Sequence, residues 1–306
     1  MAELVDRVRE RLGTTAELAV LPGGNSGLTF QTTVGTQRVV IKAVPPGRPP
    51  VGRHDMLRQA RILQALAGTG VPLPEVLAVD PEPPAWFAMS FVDGEAIEPV
   101  LDGVPLDPAL ARSRMLAAAR VLAALHGTEP VDEEPTPPAA ELARWTRLMQ
   151  AVPVELRPHS DELHALLDKE IPAPMRYATG HGDFRLGNLL CQGEVPAALV
   201  DWEIWSVGDP RVDVGYFLVF SDAGNFPQLG TPVPGLPDEA ELLRAYGTEL
   251  VDMAWFRALG RYKMAAIMGH NLRRHREGRH DNPVMEKLPP TIAALIERGI
   301  AILRAT

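Results

Sequence analysis

The stretch TGHGDFRLGNLL (residues 179–190) places four polar side chains within eight positions, interleaved with glycines. These side chains are His181, Asp183, Arg185 and Asn188. The glycines disfavour a helix, and the residues lack the apolar–polar alternation of a half-buried strand. We therefore expect a loop fixed between two strands, because catalytic side chains commonly lie on loops that a rigid scaffold positions.

A second acidic motif, VDWE (residues 200–203), follows shortly after this loop. Asp201 lies thirteen residues after Asn188 and ends an apolar run, so its carboxylate is expected at the mouth of a site. The oxygens of Asn188 and Asp201 are of the type that Mg²⁺ prefers. Asp183 is then left as a base or a water-orienting group. Glu203 is a candidate ligand of a second metal or of the substrate, and a solvated carboxylate is the open alternative.

Composition excludes several classes of protein. The chain has 306 residues and a formal net charge of −9, whereas a general nucleic-acid binder is normally basic. Its one cysteine, Cys191, cannot form an internal disulfide, which suits a reducing cytoplasm. No run of about 18 apolar residues exists, and the first residues alternate charged and apolar types, so we expect neither a membrane span nor a signal peptide.

The pattern along the chain predicts an α+β protein in two parts. Residues 1–93 contain most of the strand-like runs and one clear helix after an amphipathic N-terminal helix, and residues 94–306 are mainly helical. The predicted strands cover 17–21, 28–34, 38–44, 74–80 and 84–94, with a short set within 175–203. The predicted helices cover 54–70, 108–126, 139–150, 159–168, 211–221, 238–247, 250–275 and 290–304.

The two motifs together resemble those of known kinases. HGDFRLGN is similar to the kinase catalytic loop H-R-D-x-x-x-x-N, and VDWE looks like the D-F-G position. The HGD form, followed by GDPRVDVG, resembles the aminoglycoside phosphotransferase family more closely than protein kinases. VDWEIWSVGDPRVDVGYF and LRQARILQALAGTGVPLPEVLAVD are most similar to the branch whose kinase domain accompanies acyl-CoA dehydrogenases. The resemblance covers roughly residues 15–275.

The resemblance implies a protein-kinase-like fold, with a small antiparallel-sheet N-lobe (residues 1–93) that binds nucleotide and a larger helical C-lobe (residues 94–306). It also implies transfer of a phosphoryl group from ATP or GTP to a hydroxyl of a small molecule. In this scheme each polar residue of the two motifs has a separate role. Asp183 handles the hydroxyl proton, Arg185 neutralises charge on the moving phosphoryl group, His181 braces the loop, and Asn188 and Asp201 hold Mg²⁺.

The N-lobe offers further matches to this scheme. Lys42 lies in the apolar run RVVIKAV, where a lone lysine is costly without a partner, and it matches the lysine of V-A-I-K that binds the α/β-phosphates. An exposed edge-strand lysine is the alternative. The turn LPGGNSG would cover the phosphates, although a simple hairpin turn explains it equally well; its candidate residues are Gly24, Asn25 and Ser26. The hinge MSFVDG would read the nucleotide base, with Met89, Phe91 and Val92 as candidates.

One position departs from the kinase pattern. The lysine normally pairs with a glutamate on the first N-lobe helix, and the matching position here is Gln59. Glutamine can hydrogen-bond the ammonium of Lys42 but cannot neutralise it, and Asp55 lies one turn earlier as a possible substitute. A catalytically weak nucleotide-binding module therefore remains an alternative. A metal phosphohydrolase is a third reading, but it leaves Lys42 unexplained.

Two acidic residues that follow VDWE have structural interpretations. Asp209 precedes a proline at an expected helix start, where capping is the simple role. Asp213 corresponds, through the resemblance, to a residue that ties its helix to the catalytic loop.

The segment GHNLRRHREGRHD (residues 269–281) is a basic patch on an acidic protein. It is interpreted either as the solvated end of a helix, where cations suit the C-terminal dipole, or as a binding surface for an anionic acceptor. The candidate residues for the second interpretation are Arg273 and Arg274. Aminoglycosides are polycations and would be repelled by such a patch.

Overall fold

The N-terminal part of the computed structural model is an antiparallel sheet with a helix on each face. The structure describes residues 2–21, 28–104, 106–279 and 281–305. The five strands have the order β1-β2-β3-β5-β4. They are β1 (Ala19–Val20), β2 (Leu28–Val34), β3 (Gln37–Ala43), β4 (Val76–Asp80) and β5 (Trp86–Ser90), and the helices are α1 (Ala2–Leu12) and α2 (Met56–Ala65).

Side-chain alternation along the central strands assigns each residue to one face of this sheet. On β5, Trp86 packs into the cluster that contains Leu4 of α1, whereas Phe87 packs into the cluster that contains Met56 of α2. On β3, Lys42 lies opposite Phe87 in the strand register. Lys42 therefore projects from the face that α2 covers, and this face looks into the cleft above the C-terminal part.

The C-terminal part is mainly helical and is built around one long central helix. Its elements are α3 (Pro108–His126), α4 (Pro138–Gln150), α5 (Ser160–Lys169), β6 (Ala178–Gly180), β7 (Leu189–Gln192), β8 (Val195–Leu199), β9 (Ser206–Gly208), α6 (Pro210–Phe217), α7 (Glu239–Tyr246), α8 (Met253–Arg276) and α9 (Pro289–Arg304). Helix α8 packs against α4, α6 and α9. The strands form two antiparallel pairs, β6–β9 and β7–β8, and the loop between β6 and β7 carries the HGD motif.

One hydrophobic cluster spans both parts, in addition to a separate cluster within each part. Met56 and Leu63 of α2 belong to the same buried cluster as Met115 of α3 and Phe184 of the HGD loop. This packing fixes α2 directly against the elements that carry the HGD and VDWE motifs. The division of the chain at residues 93 and 94 stays a prediction; β5 ends shortly before it, and α3 begins fourteen residues after it.

The predicted fold class is confirmed, and a few element bounds differ. The helix predicted over 211–221 is α-helical only to Phe217 and continues as a 3-10 turn over 218–221. The helix predicted over 54–70 ends at Ala65, because Gly68 and Gly70 both adopt left-handed conformations. Strand β9 was not predicted, since three residues give no periodic signal. No helix in the described part of the chain combines the length and the apolar character needed to cross a bilayer.

Candidate active site

The backbone of the HGD loop is clamped by a buried carboxylate. Asp213, on α6, accepts hydrogen bonds from the backbone N–H of His181 at 2.6 Å and of Gly182 at 3.0 Å. Burial alone would raise the pKa of Asp213, but the imidazole of His126 and the ammonium of Lys263 outweigh it and lower this pKa to about 2. Asp213 therefore stays ionised and ties α6 to the loop, in the geometry expected from the sequence.

The side chain of His181 links the HGD loop to the VDWE segment. Its Nδ1 accepts the backbone N–H of Asp183 at 3.2 Å, and its Nε2 lies 3.0 Å from the carbonyl of Val200. Burial lowers the pKa of His181, so the ring is neutral, and this network assigns its proton to Nε2. The ring also packs edge-on against Trp202, with 4.6 Å between centroids.

Asp183 is positioned by Asn188. The side-chain amide of Asn188 donates to the carboxylate of Asp183 at 2.9 Å and to its backbone carbonyl at 2.8 Å. Because the Nδ2 group of Asn188 faces Asp183, its Oδ1 faces away and accepts no hydrogen bond from the described residues. The Nε of Arg185 lies 3.8 Å from the same carboxylate. The structure thus brings Asp183, Arg185 and Asn188 together as predicted.

Glu98 is a neighbour of this loop that sequence reasoning missed. It is fully buried, and its Oε2 accepts the backbone N–H of Gly187 at 3.2 Å. Its Oε1 is buried without a hydrogen-bond partner among the described residues. Burial raises the pKa of Glu98 to about 8, against the opposing charge of Arg185. Glu98 lies in an irregular segment with no motif, so the sequence offered no signal.

Lys42 reaches from the sheet to the VDWE segment. Its ammonium lies 3.1 Å from Asp201 and 3.8 Å from Glu203. Burial alone would raise the pKa of Asp201, but the ammonium of Lys42 outweighs it and this pKa is lowered. Burial and the Asp201 carboxylate raise the pKa of Glu203 to about 8. Asp201 adopts a left-handed conformation with φ of 68°. The predicted lysine and the predicted acidic motif therefore meet across the cleft.

Gln59 faces the protein interior but does not contact Lys42 in the described residues. Its amide donates to the backbone carbonyl of Arg53 at 3.2 Å. Asp55, the possible substitute, instead caps α2 by accepting the N–H of Arg58 at 2.9 Å. The carboxylates that pair with Lys42 belong to the C-terminal part.

Arg58 holds helix α2 against Trp205, two residues after the VDWE motif. This guanidinium lies 4.0 Å above the ring of Trp205, donates to the Trp205 carbonyl at 2.8 Å and pairs with Glu133. The indole N–H of Trp205 donates back to the carbonyl of Arg58 at 3.3 Å. The position of α2 is thus set by an arginine–tryptophan contact in addition to apolar packing.

Lys263 is a second residue that the sequence analysis did not identify. It lies on α8, is 1% exposed, and donates a hydrogen bond to the carbonyl of Gly182 within the HGD motif. A lysine in the mostly apolar stretch YKMAAIM (residues 262–268) is a signal similar to the one that identified Lys42, and it could have been found in that way.

The predicted nucleotide contacts are described in part. Gly24, Asn25 and Ser26 lie outside the described residues. Met89 is the second-to-last residue of β5, and Phe91 and Val92 follow the end of that strand. The N–H of Phe91 donates to the carbonyl of Arg38 at 3.1 Å, and the Arg38 guanidinium lies 3.9 Å from the Phe91 ring.

The two arginines of the basic patch have different surroundings. Arg273 donates to the carbonyl of Ala151 at 2.8 Å and lies 3.6 Å from Glu277. Arg274 has no carboxylate within ion-pair distance among the described residues. Burial, and after it the nearby charges of Arg53, Arg279, Arg48 and Arg273, lower the pKa of Arg274. Arg274 therefore belongs to a cluster of positive charge that includes the loop after β3.

Comparisons with known proteins agree with this geometry. Residues 17–259 match the model of the phosphotransferase enzyme family named APH. Acyl-CoA dehydrogenase family member 10 from Mus musculus is 27% identical over 281 residues, which are 82% of this chain and 26% of that protein. The chain thus spans about a quarter of the length of this relative.

Solved structures share the fold at lower identity. A candidate aminoglycoside phosphotransferase from Ralstonia eutropha has a TM-score of 0.76 and 24% identity, covering 100% of this chain and 98% of that one. An aminoglycoside phosphotransferase in ternary complex with ADP and hygromycin B has a TM-score of 0.63 and 16% identity, covering 98% and 97%. These likenesses show the fold alone. The family match, which extends over most of the chain, shows that this protein belongs to the APH phosphotransferase enzyme family.

Proposed function

We propose that this protein transfers the γ-phosphoryl group of ATP or GTP to a hydroxyl of a small-molecule acceptor, with Mg²⁺ as cofactor. The observation that carries the proposal is the meeting of three groups in one cleft: Asp183 held by Asn188 and His181, Arg185 beside it, and Lys42 paired with Asp201. The ADP in a structure of the same fold supports a nucleotide in this cleft.

Asp183 is the group that would accept the proton of the acceptor hydroxyl. Its carboxylate is partly exposed to the cleft, and the hydrogen bond from Asn188 fixes its orientation. Arg185 lies on the same side and would offset negative charge on the phosphoryl oxygens during transfer. Since phosphoryl transfer needs little covalent chemistry from the protein, the positions of these side chains account for most of the catalysis.

The residues present fit a magnesium ion. The free Oδ1 of Asn188 and the carboxylate of Asp201 are hard oxygen donors, and nucleotide phosphates would supply further oxygens. When bound, Mg²⁺ would neutralise phosphate charge. Lys42 would also bind the phosphates, after exchanging its contact with Asp201 for them, and Glu203 would remain beside it as a possible further metal or substrate ligand.

The acceptor proposed here carries a negative group. Arg274 lacks a carboxylate partner in the described residues, and Arg53 is close enough to interact with both Arg274 and Glu203. This positive cluster therefore borders the catalytic carboxylates. Arg273 contributes less, because its guanidinium already contacts Ala151 and Glu277.

The test of the proposal is nucleotide turnover with a library of hydroxylated acceptors. Asp183→Asn should lower kcat by about 10²–10⁴-fold, the usual contribution of a positioned acid–base group, while stabilisation by Mg²⁺ and ATP persists. Asp161→Asn, on the exposed surface of α5, is the matched control and should leave kcat unchanged. Turnover that survives Asp183→Asn would contradict the assignment of the base.

A separate variant tests the charge of the acceptor. Arg274→Glu should raise KM for an anionic acceptor and leave nucleotide affinity unchanged. Arg276→Glu is the control, because Arg276 already pairs with Glu286 at 2.7 Å. An unchanged KM in Arg274→Glu would remove the basic cluster from the acceptor site.

A second candidate function follows from Gln59. The absence of a contact between Gln59 and Lys42 in the described residues favours a nucleotide-binding module with weak or no catalysis. Clear binding of Mg²⁺ and ATP without phosphorylation of any acceptor in a broad library would favour this second function.

A further inference from the structure

We propose that Lys263 is a positioning residue for Asp183, acting through the carbonyl of Gly182. The inference rests on the proposed function only in taking Asp183 as the base. Its own basis is the contact of a buried ammonium with the peptide group that precedes this base.

The Gly182–Asp183 peptide is held at both of its polar ends. Lys263 donates to the carbonyl oxygen of Gly182, and the N–H of Asp183 donates to Nδ1 of His181 at 3.2 Å. Because the peptide group is planar, fixing its oxygen and its nitrogen also fixes the Cα of Asp183. The position of the Asp183 Cα is thereby set in part from α8, and Asn188 orients the carboxylate itself.

Glycine at position 182 makes such a contact necessary. Gly182 has φ of 82°, and a Cβ at this position would overlap the carbonyl oxygen of Ile204. A residue without a side chain is required there, yet glycine leaves the adjoining peptides free to rotate. The hydrogen bond from Lys263 removes that freedom on the side toward Asp183, and Asp213 removes it on the side toward His181.

Two aromatic rings and several carboxylates surround the Lys263 ammonium inside the C-terminal part. The nitrogen lies 4.0 Å from the centroid of the Tyr216 ring and 4.9 Å from that of Trp145, so both aromatic faces stabilise the cation. Burial lowers the pKa of Lys263, whereas the carboxylates that face it oppose this change. The charged groups around it are Asp213 on α6, Glu141 and Arg144 on α4, and Asp183 in the loop.

Lys263→Met tests whether this contact serves the base. We expect the variant to fold, with a lowered midpoint of thermal unfolding because the carbonyl of Gly182 loses its donor. It should lower kcat about 10–100-fold, because small misplacements of catalytic groups have effects of this size. The KM for nucleotide should change little. Lys169→Met, on α5, is the control and should retain wild-type kcat.

Two further measurements separate positioning from a merely structural role. In Lys263→Met the amide hydrogens of residues 180–184 should exchange faster than in wild type, and this measurement needs no turnover, so failure of the proposed phosphotransfer does not affect it. Lys263→Arg should restore part of kcat, and the loss of activity at alkaline pH should move to higher pH, since guanidinium stays protonated. Wild-type kcat or wild-type exchange in Lys263→Met would overturn the proposal.

Discussion

The HGD loop and helix α2 both border the same cleft, but they are held in opposite ways. In the loop, the backbone groups that flank Asp183 are bound by buried side chains of the C-terminal part, namely Asp213, Lys263 and His181. In α2, Gln59 turns to a backbone carbonyl of its own lobe. The charge on Lys42 is balanced by Asp201, so the C-terminal part supplies both the proposed base and the counter-ion of the lysine.

The largest effects should come from Lys42 and its partners. Lys42→Met should lower kcat/KM about 10²-fold or more, because it removes a charge that stabilises the phosphates. Glu203→Gln should lower kcat/KM about tenfold, because it alters the side-chain hydrogen bond between Glu203 and the charged Asp201. Gln59→Met should change kcat/KM less than twofold, within the range of near-neutral substitutions. Steady-state kinetics measure all three.

A loss of kcat/KM in Gln59→Met as large as that in Glu203→Gln would contradict this expectation. It would mean that α2 supplies a partner for Lys42 in the working state, and the contrast between the HGD loop and α2 would then disappear.

The second effect is a pH dependence of stability caused by Glu98. The pKa of Glu98 is about 8 in the folded protein and about 4.3 in an unfolded chain. Between these values the folded state binds one more proton than the unfolded state, so Glu98 lowers stability progressively as pH rises from about 4.3 to 8. Glu98→Gln removes this slope. Its free energy of unfolding relative to wild type should therefore increase between pH 5 and pH 8, by on the order of a few kcal/mol.

Chemical denaturation across this pH range measures the difference. Glu95→Gln is the control: its side chain is largely exposed, so its relative stability should be constant. A difference between Glu98→Gln and wild type that does not grow with pH would show that Glu98 is ionised in the fold.

The smallest effect concerns the attachment of α2. Arg58→Ala should lower the free energy of unfolding by about 1–3 kcal/mol, because it leaves the carbonyl of Trp205 without its donor and removes one of the two arginines that pair with Glu133. Arg61→Ala is the matched control, since the exposed Arg61 pairs with the same Glu133 and should contribute less than about 1 kcal/mol. Equal losses in the two variants would mean that the contact with Trp205 adds nothing to the attachment of α2.

Much of the fold could be predicted from the sequence, because long periodic segments and glycine-bounded strands have local causes. The site was predictable where a residue belonged to a motif, as Asp183, Asn188 and Asp201 do. Lys42 and Lys263 show the limit. Both are lysines among mostly apolar neighbours. A strand residue projects from one of only two faces of its sheet, so the surroundings of Lys42 could be predicted. Lys263 lies on a helix that is buried on all sides, so its neighbours could not be predicted from the sequence. Glu98 depends on a long-range contact that no local pattern encodes.

The left-handed backbone of Asp201 has a consequence for how this site can change. Such a conformation costs a residue with a side chain of order 1 kcal/mol or more, and glycine would adopt it freely. At this position the protein keeps a carboxylate in the cleft at a cost in conformational stability. Selection for a more stable protein would favour glycine at residue 201, and selection for chemistry would favour aspartate. We expect a relative with glycine at this position to have lost the proposed phosphotransferase activity.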